Sequence, residues 1–261
     1  MASTLWRNRA LVAELARREF TGRYRGSFGG IAWSFVQPLF LLAVYTVAFA
    51  LILHARWGVA GGPGDYALMV FAGLIVFNAY AECLARAPQL VTANPNFVKR
   101  VVFPLELLPW VLTIAIAVHA LLAVAIWIGG YALLRGAPPA TALLAPIVLL
   151  CFAPMLLGTG WLLAALGVAV RDISQLTALL SHALLFLTPV FYPLDAAPPV
   201  VRMLLEWNPL TVVVEALRDV LYRGIAPAWG ALLVYLVLTT LFAWAALGVF
   251  RRLRRGFADW I

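Results

Sequence analysis

Long apolar runs separated by short polar punctuation divide this chain into six segments. Residues 31–53, 107–134, 142–170, 173–194 and 224–250 contain no Asp, Glu, Lys or Arg, and residues 66–81 are equally free of charge until Glu82. A helix rises about 1.5 Å per residue, so ~20 residues cross a hydrocarbon core of ~30 Å. Each segment is long enough or nearly so. The pattern predicts an all-α integral membrane protein with six transmembrane helices in one domain, residues 1–261.

The punctuation predicts further elements. Before the first span, Leu5, Val12, Leu15, Ala16 and Phe20 share one helical face, and Arg7, Glu14, Arg17 and Arg18 lie opposite. This is the pattern of a helix lying on a membrane surface within residues 1–27, although Arg9 and Glu19 intrude on its apolar face. It reads as a surface anchor or as a moving cytoplasmic gate. Residues 91–104 are too polar at the centre to cross a membrane and too apolar for a free linker. Asn94 can cap a short helix there, because Pro95 at the first helical position loses no hydrogen bond. Phe97 would be its apolar knob, Lys99 and Arg100 its basic end. Between the fifth and sixth spans, residues 200–205 and 210–221 are helical in pattern but too short to cross. Leu210, Val214, Leu217 and Leu221 form one face of the second; Glu215, Arg218, Asp219 and Tyr222 form the other. Such elements suit re-entrant helices on the outer side, within residues 195–223, with the bend at Trp207-Asn208-Pro209.

Charge fixes the expected orientation. Fourteen basic residues, Arg7, Arg9, Arg17, Arg18, Arg23, Arg25, Arg86, Lys99, Arg100, Arg171, Arg251, Arg252, Arg254 and Arg255, fall on one side of the six-span scheme. Five, Arg56, Arg135, Arg202, Arg218 and Arg223, fall on the other. The positive-inside rule then places both termini in the cytoplasm. The net charge of +8 becomes a topology signal and an attraction to anionic lipid, which leaves nucleic acid without a role. With 64% hydrophobic and 11% charged residues, a water-facing globule is excluded. The first 26 residues scatter Arg and Glu and hold no apolar core, so no cleavable signal peptide is expected.

Reactive chemistry is sparse. Asn78, Glu82 and Arg86 are spaced i, i+4, i+8 on one face of the second span, with Glu82 well placed to pair with Arg86. Charges at membrane depth face protein or water, so the trio reads as an ion pair tying helices together or as a translocation site. The sole lysine follows Phe97-Val98 rather than a glycine run, which excludes a phosphate-binding loop in this chain. No His or Cys spacing suits a metal; His119 and His182 read as packed histidines, and Cys83 and Cys151 as packing residues. Gly158-Thr159-Gly160 marks close helix packing. No catalytic residue and no cofactor of the chain's own are expected, and energy for uphill transport would come from another chain.

Several stretches resemble a known family. Arg23-Tyr24-Arg25-Gly26-Ser27 followed by Gly29-Gly30, Trp33 and Pro38 is similar to the entry to the first span of ABC-2 type permeases. The likeness is to those that export lipid-linked polysaccharides such as O-antigen, capsule and teichoic acid. Phe71-Ala72-Gly73-Leu74, Asn94-Pro95-Asn96, Val101-Val102-Phe103-Pro104-Leu105-Glu106, Pro109, Arg171-Asp172 and Trp207-Asn208-Pro209 extend the likeness in order along nearly the whole chain. Gly29-Gly30 departs from relatives that carry a bulky aliphatic residue beside one glycine.

The resemblance implies a homodimer of this chain working with two copies of an ATP-binding cassette subunit, which would bind ATP and Mg. Residues 92–103, with Asn94, Pro95, Asn96, Phe97, Lys99 and Arg100, would be the coupling helix that meets that subunit. Arg17, Arg18, Arg23, Tyr24, Arg25 and Trp33 would form the gate near the lipid-linked end of the substrate. The location implied is the bacterial inner membrane. Ten Trp, eight Tyr and fifteen Phe offer faces that stack on sugar rings, although many must form interfacial belts. The expected function is therefore export of a lipid-linked polysaccharide. Small-molecule export is the alternative, and a membrane-embedded transferase is disfavoured by the scattering of Asp195, Glu206 and Glu215.

Overall fold

The computed structural model describes residues 6–22, 62–94, 104–170 and 172–257, with Trp33, Val36, Leu39, Phe40, Ala43, Val44 and Val47 as isolated positions. Among the described residues every regular element is helical. The helices are α1 (Arg9–Gly22), α2 (Pro63–Arg86), α3 (Leu108–Arg135), α4 (Ala145–Ala169), α5 (Ile173–Leu187), α6 (Pro199–Trp207), α7 (Pro209–Arg218) and α8 (Trp229–Leu253).

With their flanking turns, four of these are long and apolar enough to cross a membrane: Gly64–Gln89, Leu105–Arg135, Ala140–Ala169 and Trp229–Gly256. The shortest, 26 residues, reaches ~39 Å at ~1.5 Å per residue. The first expected span lies mostly outside the described residues. The fifth, expected over residues 173–194, is a helix of only 15 residues. It stops because Pro189 disfavours helical geometry at the residue before it; Thr188 is extended, at φ −112° and ψ 136°.

The long helices run antiparallel, so the bundle has two ends. One holds Arg86, Leu105, Ala169 and Leu253; the other holds Asp65, Arg135, Ala140 and Trp229. α2 is the central element, with 78% of its apolar window buried against 33% for that of α8. Small residues let neighbours close in. A Cβ added to Gly158 would lie 2.5 Å from the Phe242 ring and 3.0 Å from Ala243 Cα on α8. One on Gly160 would lie 3.2 Å from Pro109 Cβ on α3. The tightest approach is at Gly167, against which the backbone of Pro88 rests directly. The turn that follows α2 is thereby seated on α4. α1 lies across the Arg86 end, its Val12 and Ala16 buried against Leu107 and Val111.

At the opposite end, one fully buried cation organises the short helices. Arg218 of α7 donates from Nη1 to the Pro189 carbonyl at 2.6 Å and to Glu215 Oε1 at 2.8 Å. Its Nη2 donates to the Val190 carbonyl at 2.8 Å, and its Nε to the Met69 carbonyl at 3.2 Å. A guanidinium can do this because its donors are fixed in a planar fork. It joins α7, the segment after α5 and α2, and Gly73 leaves room for it. Asn208 adds a second tie. Its Oδ1 accepts from the Leu210 amide at 2.9 Å, capping α7, while Nδ2 donates to the Leu187 carbonyl at 2.8 Å and to Thr188 Oγ1 at 2.9 Å. Thr211 Oγ1 donates to the Leu205 carbonyl at 2.6 Å. α7 continues into a π turn over Asp219–Arg223 and ends where Gly224 takes a left-handed φ of 72°. Arg223 bridges Asp219 (2.6 Å) and Glu215 (2.9 Å). Burial pulls its pKa down, but these two carboxylates carry it above the ordinary arginine value.

Two substitutions test this architecture. Gly167→Ala should force the Pro88 backbone off α4 and destabilise the purified protein by about 1–3 kcal/mol, the usual cost of overpacking. Gly129→Ala, at a site open for 4 Å around, should leave thermal unfolding unchanged. Arg218→Lys keeps the charge but cannot reach three carbonyls and Glu215 at once. It should cost about 3 kcal/mol and lower the unfolding temperature followed by tryptophan fluorescence in detergent.

Candidate functional site

The charged groups of the Arg86 end converge on two clusters. In the first, the last turn of α2 presents Glu82 and Arg86 on one face, as i, i+4 spacing dictates. Arg86 Nη1 donates to Glu82 Oε1 at 2.8 Å. Its Nη2 pairs with Glu19 of α1. The other Glu82 oxygen lies 3.3 Å from Nδ1 of His119 on α3. Arg86 and Glu82 together tie three helices. Glu82 and His119 are largely buried, whereas Arg86 and Glu19 are partly exposed, Glu19 by 40%.

The second cluster centres on Glu106, at the entry to α3. Arg251 grips it in bidentate fashion, Nε to Oε1 at 3.0 Å and Nη2 to Oε2 at 2.9 Å, and Arg254 adds a longer contact of 3.4 Å. The Glu106 carbonyl accepts from Trp161 Nε1 at 3.0 Å. The end of α8 is thus fastened to the start of α3, and Phe257 closes over Phe250 edge to face at 5.6 Å.

Between these clusters in sequence lies the connection from α2 to α3. After Arg86 comes the turn Ala87–Gln89, seated on Gly167, and then buried Val91. Asn94 donates from Nδ2 to the Leu90 carbonyl at 2.9 Å, so its amide closes the turn behind it. Pro95, Asn96, Phe97, Lys99 and Arg100 lie outside the described residues, as do Arg23, Tyr24 and Arg25. Arg17 and Arg18 are exposed on α1, and Trp33 is exposed at 51%. Asn78 shares the face of Glu82 and Arg86 but is exposed and takes no part in their cluster.

Sequence reasoning found the Glu82–Arg86 pair and missed its partners. His119 reads as isolated because its partner lies 37 residues away. Glu19 carries the one usable signal: a carboxylate intruding on the apolar face of an amphipathic helix needs a cation on whatever that face meets. Nothing local marks Glu106, whose partner Arg251 is 145 residues distant. Among the described residues no group of three or more His, Cys, Asp and Glu could hold a metal ion. What these clusters do chemically is hold helix ends in register with ion pairs.

The charge asymmetry is also spatial. Nine described arginines, Arg7, Arg9, Arg17, Arg18, Arg86, Arg251, Arg252, Arg254 and Arg255, occupy the Arg86 end. Four, Arg135, Arg202, Arg218 and Arg223, occupy the other. The described N-terminal and C-terminal segments lie at the same end.

Comparison with known proteins fits this arrangement. The family model for the ABC-2 type transporter matches residues 10–222. The O-antigen export system permease protein RfbA of Myxococcus xanthus is 25% identical over 257 residues, covering 98% of this chain and 96% of its own length. A protein of the same name from Klebsiella pneumoniae is 22% identical, with 95% and 94% covered. The polysialic acid transport protein KpsM of Escherichia coli is 26% identical, with 88% of each chain covered. The match runs from α1 through the π turn after α7, and so takes in the Glu19–Arg86–Glu82–His119 cluster, Glu106 and the Arg218 tie. This chain belongs to the ABC-2 type transporter family.

Proposed function

We propose that this chain is the membrane-spanning permease subunit of an ATP-driven exporter that moves a lipid-linked polysaccharide, of O-antigen or capsular type, across the bacterial inner membrane. The observation that carries this reading is the end-to-end likeness to permeases of O-antigen export and to a polysialic acid transport protein. Two copies of the chain would work with two copies of an ATP-binding subunit, which supplies the nucleotide site and its Mg. The concentration of arginines at the Arg86 end supports placing that end, and both termini, in the cytoplasm.

The segment from Asn94 to Arg100 is the part we assign to contact with the ATP-binding subunit. It leaves a turn fixed on α4, so a push on it would be transmitted to α2 and α4 rather than absorbed. Arg17, Arg18, Arg23 and Arg25 would meet the phosphate of the lipid anchor, a task that suits a planar guanidinium.

Deleting the gene should abolish surface polysaccharide and leave the lipid-linked polymer in the cytoplasm, with restoration by the intact chain; unchanged surface polymer would refute the export reading. Phe97→Asp should insert in the membrane normally yet fail to restore export. For orientation, a cysteine at exposed Ala196 should react with a membrane-impermeant thiol reagent applied from outside. A cysteine at Arg252 should react only after the membrane is opened, and the opposite pattern would invert the topology.

A further inference from the structure

α1 is fastened to the bundle in two ways of different character. Its apolar contact is made by Val12, Ala16 and partly buried Leu15 against Leu107, Val111, Trp110 and Ile114. Such contact is non-directional and tolerates sliding. Its polar contact is specific, through Glu19 to one nitrogen of Arg86. Arg86 is the last residue of α2, and the next residues form the turn leading to the segment assigned to the ATP-binding subunit. The residue that holds α1 is therefore joined directly to the turn that precedes that segment.

We propose that Arg86 is a positioning residue for transport. Its guanidinium is a latch that holds α1 across the ends of α2 and α3, and Glu19 must leave it in each translocation cycle. The latch rests on the export reading above and assigns a moving part to it.

The geometry separates the half that stays from the half that leaves. Arg86 Nη1 remains on Glu82, 2.8 Å away on its own helix, and Glu82 is held from the far side by His119. When Glu19 departs, Arg86 keeps a carboxylate and no unpaired charge is left buried. That outcome is the one that makes loss of a buried ion-pair partner costly elsewhere. Glu19 itself is 40% exposed and regains water at once. Solvent and salt reach and weaken a partly exposed ion pair, so a push on the turn after Arg86 can exchange it for water. The consequence falls on Arg17 and Arg18, exposed on the helix the latch controls. Lysine could not substitute, because a single ammonium lacks the two-pronged reach that divides Arg86 between two helices.

The test is a reversible lock. Glu19→Cys and Arg86→Cys are combined in the full chain with its ATP-hydrolysing partner, in cells lacking the native gene. The pair is joined by a short, cleavable, membrane-permeant bis-maleimide, with each single replacement and the native chain, which holds Cys83 and Cys151, as labelling controls. Joining should slow the appearance of new surface polysaccharide by about tenfold or more, a barrier change of about 1.4 kcal/mol. ATP hydrolysis by the joined complex should continue, and cleaving the linker should restore export. Undiminished export by the joined protein overturns the latch. Where the unjoined double variant does not export, Glu19→Lys decides, since it drives the latch open by like charge. That complex should hydrolyse ATP at the wild-type rate or above while exporting about tenfold less. Export at the wild-type rate, or hydrolysis and export falling in step, overturns the proposal and leaves Arg86 a structural role. Failure of the intact chain to restore surface polysaccharide counts against the export reading instead.

Discussion

Hydrocarbon offers no hydrogen-bond partner, so every backbone group at membrane depth must find one in the protein. The long helices meet this demand internally. The difficulty lies wherever a helix stops, and the tertiary structure is organised around those stops. After α5 the carbonyls of Leu187, Pro189 and Val190 have no helix to enter, and side chains of the next two elements serve them: Asn208 the first, Arg218 the other two. Thr141 does the same for the Val220 carbonyl at 2.7 Å, and Trp161 for that of Glu106. Each tie answers a local backbone deficit with a donor from a distant part of the chain. The fold's long-range order follows from that constraint as much as from apolar packing.

This explains what could be read from the sequence and what could not. Charge-free runs identify the long spans because length and apolarity are local properties. The short outer helices were visible as apolar periodicity bounded by Pro199 and Pro209. Arg218 was visible only as one of several polar residues on the outer face of α7. Its full burial depends on Met69, Pro189, Val190 and the space beside Gly73, none of which the local pattern exposes. The shortening of α5 was legible in principle, since Pro189 stood inside the expected span, towards its end. Absence of charge outweighed it, and apolarity says where the chain is buried rather than whether it stays helical. The partnerships of His119 and Glu106 were beyond reach, because both depend on which helices lie side by side.

The two ends of the bundle are held by different physics. At the Arg135 end the principal tie is fully buried and charge-assisted, with a guanidinium committed to three carbonyls and a carboxylate. Breaking it would strand several polar groups without water, so this end is built to keep its shape. At the Arg86 end each arginine in the ion pairs is partly exposed, so solvent reaches and weakens the pairs. Glu106 with Arg251 is bidentate and more exacting; Glu19 with Arg86 is not. A molecule fastened this way moves first at the end where its arginines are concentrated.

The distribution of carboxylates leads to the same end. Glu19, Asp65, Glu82, Glu106, Asp195, Glu206, Glu215 and Asp219 each pair with an arginine, and all eight lie near helix ends or outside the long spans. A carrier driven by an ion gradient needs a carboxylate or imidazole at membrane depth that can bind and release its ion as the protein rearranges. Among the described residues these eight carboxylates are committed to arginines whose pairing fixes helix positions, so protonating one would loosen the fold rather than load a cargo ion. Work delivered by a partner subunit would enter from outside the membrane. The arrangement offers two adjoining points of entry: the turn seated on Gly167 and the partly exposed pair of Glu19 with Arg86 beside it.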